Sequence, residues 1–244
     1  MPLHLPRLDR ASDSEFPACH RALADPNGLL AFGGDLSATR LLNAYRHGVF
    51  PWYSEGEPIM WWTPDPRMVI APAHLHLSRR LRRTLARCAW QIRADHCFEE
   101  VIDICATLPR HGRVGTWITA EMRDAYVALH RLGHAHSIEV LDDDGRLVGG
   151  LYGLAIGRMF FGESMFSLQS GGSQVAIAGL CRRLTEWNFA LLDGQVESAH
   201  LATLGFRTLS RAAFIAVCSQ ACAEPERATS WQARFHHIHA QEFA

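Results

Sequence analysis

The stretch HSIEVLDDDGRLVGGLYGLAIGRMFFGESMFS, residues 136–167, determines the fold class that this sequence predicts. Within it the hydrophobic residues follow the alternating spacing of β-strands rather than the spacing of helices. Turn residues at positions 143–145 and at Gly157 divide it into three parts. The pattern therefore predicts an antiparallel meander. Its three strands are predicted at about residues 136–141, 146–155 and 158–163.

Segments with helical periodicity surround this meander. Capping residues, such as Asp35 or Ser37 and then Ser78, mark where helices begin, and Gly48 and Gly133 mark where two of them end. The predicted helices are about residues 38–46, 78–88, 98–106, 120–132, 173–187 and 211–222. A short helix near His200 and strands at about residues 190–193 and 206–210 complete the pattern.

This order of elements predicts a mixed α+β domain with a mainly antiparallel sheet. The order is similar to the acyltransferase fold of the N-acetyltransferases, and we expect a GNAT-like domain over residues 66–224. Residues 1–65 are expected to form a small N-terminal domain that ends in a connection rich in proline and tryptophan. Residues 225–244 lack clear periodicity and predict a loosely held C-terminal tail.

The composition indicates an ordinary globular protein. Of 244 residues, 48% are hydrophobic and 20% are charged, which excludes a disordered chain. No apolar run approaches the roughly 20 residues that span a bilayer, and the N-terminus lacks a secretion segment. Seven cysteines at irregular spacing argue for a reducing compartment and against a disulfide framework or a structural zinc site. We expect a cytoplasmic monomer without a membrane partner.

The charge distribution is uneven although the net charge is −1. All 24 cationic side chains are arginine, which excludes a usual Walker A motif and a lysine Schiff base. Residues 67–93 contain no Asp or Glu, so pairing within this segment cannot neutralise its arginines. The alternative is a solvated helix face, but this arrangement favours binding of nucleic-acid phosphates. The arginines opposite the apolar stripe of the helix are Arg79, Arg80, Arg82, Arg83 and Arg87.

Two polar clusters interrupt apolar strands. Glu163 lies in FFGESMFS, and a bulge at Gly162 would bring it to the same side as Phe160. Asp193 and Gln195 lie two residues apart at the end of a strand, which predicts that they share a face. The structural alternatives are a Glu163 carboxylate held by backbone amides or an arginine, and an Asp193 that only forms a turn.

Three other sequence patterns are weaker evidence for a functional site. Trp52 is a candidate for stacking on a ligand, whereas Trp61 and Trp62 are better explained by packing. The histidine pairs lack further ligands at recognised spacing, so we expect no metal. The loop SLQSGGSQ, residues 167–174, lacks the pyrophosphate-binding pattern of acyl-coenzyme A enzymes, which argues against coenzyme A.

Seven segments taken together resemble the bacterial leucyl/phenylalanyl-tRNA–protein transferase family. They occur in the same order as in that family, between residues 26 and 211. They are PNGLLAFGGDLS, YRHGVFPWYSEGEPIMWWTPDPR, GTWIT, LGHAHSIEV, LVGGLYG, FFGESMFS and LLDGQ. The resemblance implies transfer of Leu or Phe, and also of Met, from the corresponding aminoacyl-tRNA, such as Leu-tRNA or Phe-tRNA. The acceptors would be proteins with N-terminal Arg or Lys. The product is an N-degron that directs protein degradation, and the reaction needs no cofactor.

The resemblance also implies roles for individual residues. Glu163, Asp193 and Gln195 would surround the reacting groups. Gln195 would orient the acceptor amine, while Asp193 would either support it or relay a proton. The terminal adenosine of tRNA would be held by Trp52, Tyr45, Trp117 and Tyr126. The aminoacyl pocket would be formed by Leu151, Phe160, Met165, Ile177, Leu180 and Leu192.

The sequence departs from the family pattern at two positions. Gln174 stands where the family commonly has Lys, and Gly194 stands where it often has Cys. Two other functions remain open. A related transferase acting on peptidoglycan precursors would lack the PNGLLAFGGDLS region, and an RNA-binding module would not need Glu163, Asp193 and Gln195 close together.

Overall fold

The structure, a computed structural model, describes residues 5–10, 15–109, 117–225 and 230–244. Over these residues the chain forms twelve strands and eight α-helices. The strands are β1 (Arg7–Leu8), β2 (Leu29–Gly33), β3 (Phe50–Pro51), β4 (Met60–Trp62), β5 (Arg67–Ile70), β6 (Gln91–Ala94), β7 (Ala135–Leu141), β8 (Leu147–Ile156), β9 (Met159–Ser167), β10 (Leu191–Gln195), β11 (Arg207–Leu209) and β12 (Ile238–His239). The helices are α1 (Ala38–Arg46), α2 (Arg79–Leu85), α3 (Phe98–Thr107), α4 (Ala120–Arg131), α5 (Gly172–Glu186), α6 (Ala199–Thr203), α7 (Arg211–Ala223) and α8 (Trp231–Phe235).

A large mixed sheet organises the molecule. Its eight strands lie in the order β11-β5-β10-β9-β8-β7-β6-β12, and its described neighbours are antiparallel except for the parallel pair β9 and β10. The meander β7-β8-β9 forms its middle. The predicted α+β class with a mainly antiparallel sheet is therefore confirmed.

Hydrophobic side chains cover both faces of this sheet. One buried cluster contains side chains from α3 and α4, and the other contains side chains from α2, α5 and α8. The helix α5 approaches β8 closely, because a Cβ at Gly149 would lie only 2.4 Å from the carbonyl carbon of Gly172. This approach brings Ile177 and Leu180 of α5 to the part of the sheet where the polar residues emerge.

A second, four-stranded sheet has the order β1-β2-β4-β3. Its buried side chains, such as Leu30 and Trp61, belong to the same hydrophobic cluster as Phe98 and Phe161 of the larger part. The two sheets therefore share one core along this face. The indole of Trp61 is buried and donates to the Gly33 carbonyl oxygen at 2.9 Å, so this residue packs the interior as expected.

The expectation of a loosely held C-terminal tail is wrong for residues 230–244. Trp231, Phe235 and Ile238 are buried, and β12 pairs with β6 at the edge of the large sheet. The helix α8 is only five residues long and β12 only two, so neither gives a repeat long enough to detect beside the polar residues around it. Among the described residues, no helix has the length and apolar character needed to cross a membrane.

Candidate functional site

The polar site begins at an irregularity in β9. Tyr152 lies opposite Ser164 and Gly153 lies opposite Gly162, so Glu163 is an extra residue without a partner on β8. The predicted bulge is confirmed, and it turns Glu163 toward the cavity that Phe160 also lines. Without the bulge, strict alternation would place these two side chains on opposite faces.

Three side chains satisfy the Glu163 carboxylate. The Tyr45 hydroxyl donates to Oε1 at 2.6 Å, the Tyr126 hydroxyl donates to Oε2 at 3.0 Å, and Gln195 Nε2 donates to Oε1 at 2.8 Å. Desolvation by burial raises the pKa of Glu163 to about 7, although these three hydrogen bonds oppose the rise. Glu163 therefore exchanges its proton near neutral pH.

The hydrogen-bond pattern itself favours a protonated Glu163. The Tyr45 and Tyr126 hydroxyls also contact one another, which closes a ring of three oxygen contacts. With an ionised carboxylate both hydroxyls donate to it, and the contact between them has no hydrogen. With a proton on Oε2, the carboxyl donates to Tyr126, Tyr126 donates to Tyr45 and Tyr45 donates to Oε1, so that all three contacts are hydrogen bonds. Burial raises the pKa of both tyrosines well above the usual range, so neither becomes the anion.

The structure places these tyrosines differently from the adenosine-binding role expected of them. Both Tyr45 and Tyr126 are fully buried in the hydrophobic core. Neither ring has an exposed face on which a base can stack, and both hydroxyls point to Glu163. Their observed role is to hold the carboxylate.

Asp193 forms a buried ion pair with Arg67, a residue that our sequence interpretation did not single out. Arg67 Nε lies 2.9 Å from Oδ1 and Nη2 lies 2.6 Å from Oδ2, and both side chains are inaccessible. Arg67 Nη1 also donates to the Gly48 carbonyl oxygen at 3.1 Å. The guanidinium carbon lies 4.7 Å from the ring centre of Phe50 and 4.6 Å from that of Phe214. The guanidinium of Arg67 thus has hydrogen-bond partners along its edge and aromatic rings against its faces.

Gln195 is held by the backbone as well as by its side chain. Its φ of 61° lies in the left-handed region, where a residue other than glycine destabilises the fold by roughly 1–3 kcal/mol. Asp193 Oδ1 accepts its backbone N–H at 2.8 Å, which stabilises this conformation. The register against β5 shifts between Asp193 and Gln195, so simple alternation does not hold here. Asp193 contacts Arg67, whereas Gln195 contacts Glu163.

An apolar cavity of about 120 Å³ lies beside this polar cluster. All six side chains expected to form the aminoacyl pocket line it: Leu151, Phe160, Met165, Ile177, Leu180 and Leu192. Leu201 and Phe206 line it too, and the sequence interpretation missed them because they lie outside the segments that suggested a site.

A second cavity, of about 240 Å³, adjoins the same polar residues. Its aromatic walls include Trp52 and Trp117, and it shares Glu163, Gly194 and Gln195 with the apolar cavity. Trp52 is 42% exposed. Trp62 holds it from one side, with ring centres 5.6 Å apart and the Trp62 indole donating to the Trp52 carbonyl oxygen. Gly115 and Thr116 of the GTWIT segment lie outside the described residues.

The arginine-rich helix α2 presents its cationic side chains to solvent. Leu81 and Leu85 face the core, and Ser78 caps the helix by accepting the Leu81 N–H. The exposed arginines are Arg79, Arg80, Arg82 and Arg83 of α2 and Arg87, which lies just beyond the end of the helix at Leu85 because α2 is shorter than the predicted helix 78–88. Arg82 donates to the Phe243 carbonyl oxygen at 3.0 Å. Arg80, Arg83 and Arg87 line an open cleft of about 1140 Å³, which the acidic turn at residues 142–144 also lines.

Comparison with known families identifies the chain. A family model described as leucyl/phenylalanyl-tRNA protein transferase matches residues 69–219, and a model of the N-terminal domain of the same proteins matches residues 34–65. A leucyl/phenylalanyl-tRNA–protein transferase of Xanthomonas euvesicatoria pv. vesicatoria is 58% identical over 93% of this chain and 91% of that protein. The chain belongs to the leucyl/phenylalanyl-tRNA protein transferase family. It is an aminoacyltransferase.

More distant comparisons agree on this family but add little about its fold. A leucyl/phenylalanyl-tRNA–protein transferase of Xylella fastidiosa is 50% identical over 92% of this chain and 91% of that protein. Among solved structures, "The structure of L-PGS from Bacillus licheniformis" matches with a TM-score of 0.40 and 9% identity over 66% of each chain. A similarity at that level supports no argument about this transferase.

The described part of this transferase contains no group of three His, Cys, Asp or Glu side chains arranged to hold a metal ion. Its site instead consists of two adjoining cavities with one carboxyl group and one amide between them. Arg67 directly precedes the apolar run Met68–Ile70, which indicates burial, but it also opens the acid-free segment 67–93, which favours a basic surface.

The raised pKa of Glu163 predicts how stability changes with pH. A carboxyl whose pKa rises from 4.5 to about 7 on folding stabilises the fold only while it is protonated, so its contribution falls as the pH rises from about 5 through 7. Glu163→Gln removes this dependence. We expect the free energy of unfolding of the variant, relative to wild type, to rise between pH 5 and pH 8 by at most about 3 kcal/mol.

Urea unfolding at several pH values measures this difference. The pKa of Glu139 is also raised to about 7, but Glu139 is present in both proteins, so its contribution to the difference in unfolding free energy cancels. The exposed Glu197 provides the control substitution Glu197→Gln, which should give a difference that is flat with pH. A flat difference for Glu163→Gln as well would show that Glu163 is ionised throughout this range.

Proposed function

We propose that this transferase moves Leu or Phe, and also Met, from aminoacyl-tRNA to the α-amine of proteins whose N-terminal residue is Arg or Lys. The new N-terminal residue would make the acceptor a substrate for degradation through the N-degron route. The observation that carries this proposal is the junction of an apolar and an aromatic cavity at Glu163, Gly194 and Gln195. An aminoacyl ester joins an apolar side chain to an adenosine, and the two cavities match these two parts.

The apolar cavity supports the choice of amino acid. Apart from Glu163, Ser164, Asp193 and Gln195, its side-chain walls are aliphatic and aromatic. Asp193 is already paired with Arg67, so a charged donor side chain would lose its hydration there without gaining a free partner in Asp193. Unbranched and branched apolar side chains of similar size are discriminated only weakly by such a surface. We therefore include Met with Leu and Phe.

The aromatic cavity supports binding of the terminal adenosine. We assign this role to Trp52 and Trp117, which line it and flank the shared polar residues. Base stacking on an aromatic ring contributes roughly 1–3 kcal/mol. We assign Tyr45 and Tyr126 to the support of Glu163, because both are buried away from this surface.

The reaction joins the acceptor nitrogen to the ester carbonyl carbon and breaks the bond from that carbon to the ribose oxygen. The nitrogen loses a proton, and the ribose hydroxyl gains one. An α-amine with a pKa of about 7.7–8.0 has an appreciable neutral fraction at neutral pH, so a strong base is unnecessary. Holding the two substrates in reacting geometry then supplies much of the rate.

Gln195 is suited to orient the amine. Its Nε2 donates to Glu163, which fixes the direction of the amide and leaves its oxygen as an acceptor for the amine N–H. Within the described parts of the chain, no protein group donates to that oxygen. Asp193 then supports Gln195 through the backbone, because both of its oxygens are held by Arg67. We favour this supporting role over a proton relay.

Glu163 supplies the negative charge for a cationic acceptor. It borders both cavities, and its pKa of about 7 keeps a fraction ionised at neutral pH. An ammonium or guanidinium from the acceptor would favour the ionised form further. This would link acceptor binding to loss of the proton from the Tyr45–Tyr126–Glu163 ring.

Further proposals concern the binding partners and the domain organisation of this transferase. We propose that Leu-tRNA and Phe-tRNA bind along α2 through phosphate contacts, and that neither coenzyme A nor a metal takes part, because the ester is already activated. We also propose a cytoplasmic monomer. We infer a GNAT-like domain over residues 66–224 after a small N-terminal domain over residues 1–65. Residues 225–244 form a C-terminal segment, of which residues 230–244 pack back on the sheet.

A noncatalytic RNA-binding module is less well supported. Such a protein has no need to bring Glu163, Asp193 and Gln195 together, and these three are linked by hydrogen bonds of 2.8 Å. A transferase acting on peptidoglycan precursors would not be expected to carry the PNGLLAFGGDLS segment at residues 26–37.

A direct transfer assay tests the proposal. Purified protein is mixed with Leu-tRNA and a peptide that begins with Arg, and mass spectrometry measures the mass of one added leucyl residue. We expect addition to peptides beginning with Arg or Lys and none to an otherwise identical peptide beginning with Gly. Phe-tRNA should also serve as donor, whereas Asp-tRNA should not. Binding of Leu-tRNA without any addition would contradict the proposed reaction.

The arginines of α2, with Arg87 just beyond its end, predict how tRNA binding depends on salt. Replacing Arg80, Arg83 and Arg87 with Ala should weaken Leu-tRNA binding and reduce the slope of log K against log salt by about 2–3, because each lost phosphate contact removes roughly 0.7–0.9. The measurement is a binding titration at several salt concentrations.

A control variant removes the same charge elsewhere. Arg123, Arg131 and Arg183 are engaged in ion pairs and do not line the cleft beside α2, and their replacement with Ala should leave the slope nearly unchanged. Equal slopes for both triple variants would mean that α2 does not contact the tRNA backbone.

A further inference from the structure

The inner wall of the apolar cavity is supported from behind by the C-terminal segment. Phe160 lines the cavity and is fully buried. The indole of Trp231, the first residue of α8, packs against it with ring centres 5.6 Å apart. A residue about 70 positions away in sequence, in a different part of the fold, therefore touches the pocket wall without lining the pocket.

Trp231 is held by a set of aromatic contacts. The His136 ring stacks on it, with ring centres 4.1 Å apart and planes 12° apart. Trp187 meets it edge to face at 4.9 Å, and Phe189 does so at 6.2 Å. The position of the indole is thus defined on several sides.

His136 is itself fixed in place. Its Nδ1 lies 2.7 Å from Asp95 Oδ2, and Asp95 Oδ1 accepts the Ser137 backbone N–H at 2.9 Å. His136 is buried. A polar anchor on the sheet therefore sets the plane against which Trp231 packs, and Trp231 in turn sets the position of Phe160.

Trp231 also borders a cleft that is open to solvent. Trp231, His136 and Phe189 line a cleft of about 480 Å³, which is separate from the apolar cavity. Phe160 is thus kept out of this cleft by the indole. If the indole were removed, the Phe160 ring would have room to retreat, and the apolar cavity would become deeper.

We propose that Trp231 is a specificity-determining residue, which limits the depth of the aminoacyl pocket by holding Phe160 in place. This inference rests on the proposed function, because it assigns the apolar cavity to the donor side chain. Trp231 acts through Phe160 and is a positioning residue. The C-terminal segment thereby sets how well a short aliphatic side chain fills the pocket relative to a longer aromatic one.

Trp231→Ala tests the proposal through the preference between two donors. The assay measures kcat/KM for Leu-tRNA and for Phe-tRNA with the same Arg-initiated peptide. A deeper pocket leaves Leu with unfilled space and accommodates Phe, so we expect the Phe/Leu ratio to rise by about 10-fold, within the range that a change of one or a few methylenes produces. Trp231→Phe, which keeps an aromatic ring behind Phe160, should restore most of the wild-type ratio.

Phe235→Ala is the matched control. Phe235 anchors the same segment and packs on Trp187 with ring centres 6.3 Å apart, but it does not take part in the contact with Phe160. Loosening the segment in this way should lower both kcat/KM values alike and leave their ratio unchanged. Should Trp231→Ala fail to fold, Trp231→Leu keeps an apolar anchor and is expected to shift the ratio in the same direction.

The outcomes separate the two proposals. An unchanged Phe/Leu ratio in folded Trp231→Ala or Trp231→Leu, or the same shift in Phe235→Ala, would overturn the role of Trp231. Wild-type protein that transfers neither Leu nor Phe would instead overturn the proposed function itself. A shift confined to the Trp231→Ala and Trp231→Leu variants, with recovery in Trp231→Phe, would support the inference.

Discussion

The buried ion pair between Arg67 and Asp193 is the constraint on which the rest of the site depends. Two charges removed from water are tolerated only when both are fully hydrogen-bonded, and losing one partner typically costs about 3–5 kcal/mol. Here the pair joins β5 to β10, while the remaining contacts of Arg67 reach Gly48, Phe50 and Phe214. It therefore connects the N-terminal part of the chain, two sheet strands and α7 at one point.

The ion pair also determines where the chemistry lies. The same Asp193 oxygen that binds Arg67 accepts the Gln195 N–H and stabilises its left-handed backbone. The bulge at Glu163 occurs on the neighbouring parallel strand, so two irregular strands bring an amide and a carboxyl together between two cavities. Regular strands would separate these groups. The energy for these distortions comes from the buried network around them.

Local patterns predicted much of this arrangement, and long-range contacts explain what they missed. The meander, the helices and the bulge near Gly162 follow from periodicity and turn residues, and all six predicted pocket residues line one cavity. The strand β5 is only four residues long and buried throughout, so it has no alternation to detect. Arg67 finds its partner across 126 positions, and the docking of Trp231 is equally non-local. The apolar run after Arg67 indicates burial, but in neither case does a nearby residue identify the distant partner.

We expect one bound aminoacyl-adenosine to occupy both cavities. A crystal structure of this protein with a leucyl-adenosine analogue, in which an amide replaces the ester, tests this expectation. We expect the leucyl side chain among Leu151, Ile177 and Leu192, the adenine beside Trp52 and Trp117, and the carbonyl group next to Gln195. An analogue whose leucyl group lies outside the apolar cavity, or whose adenine lies in the cleft beside the arginines of α2, would contradict the account.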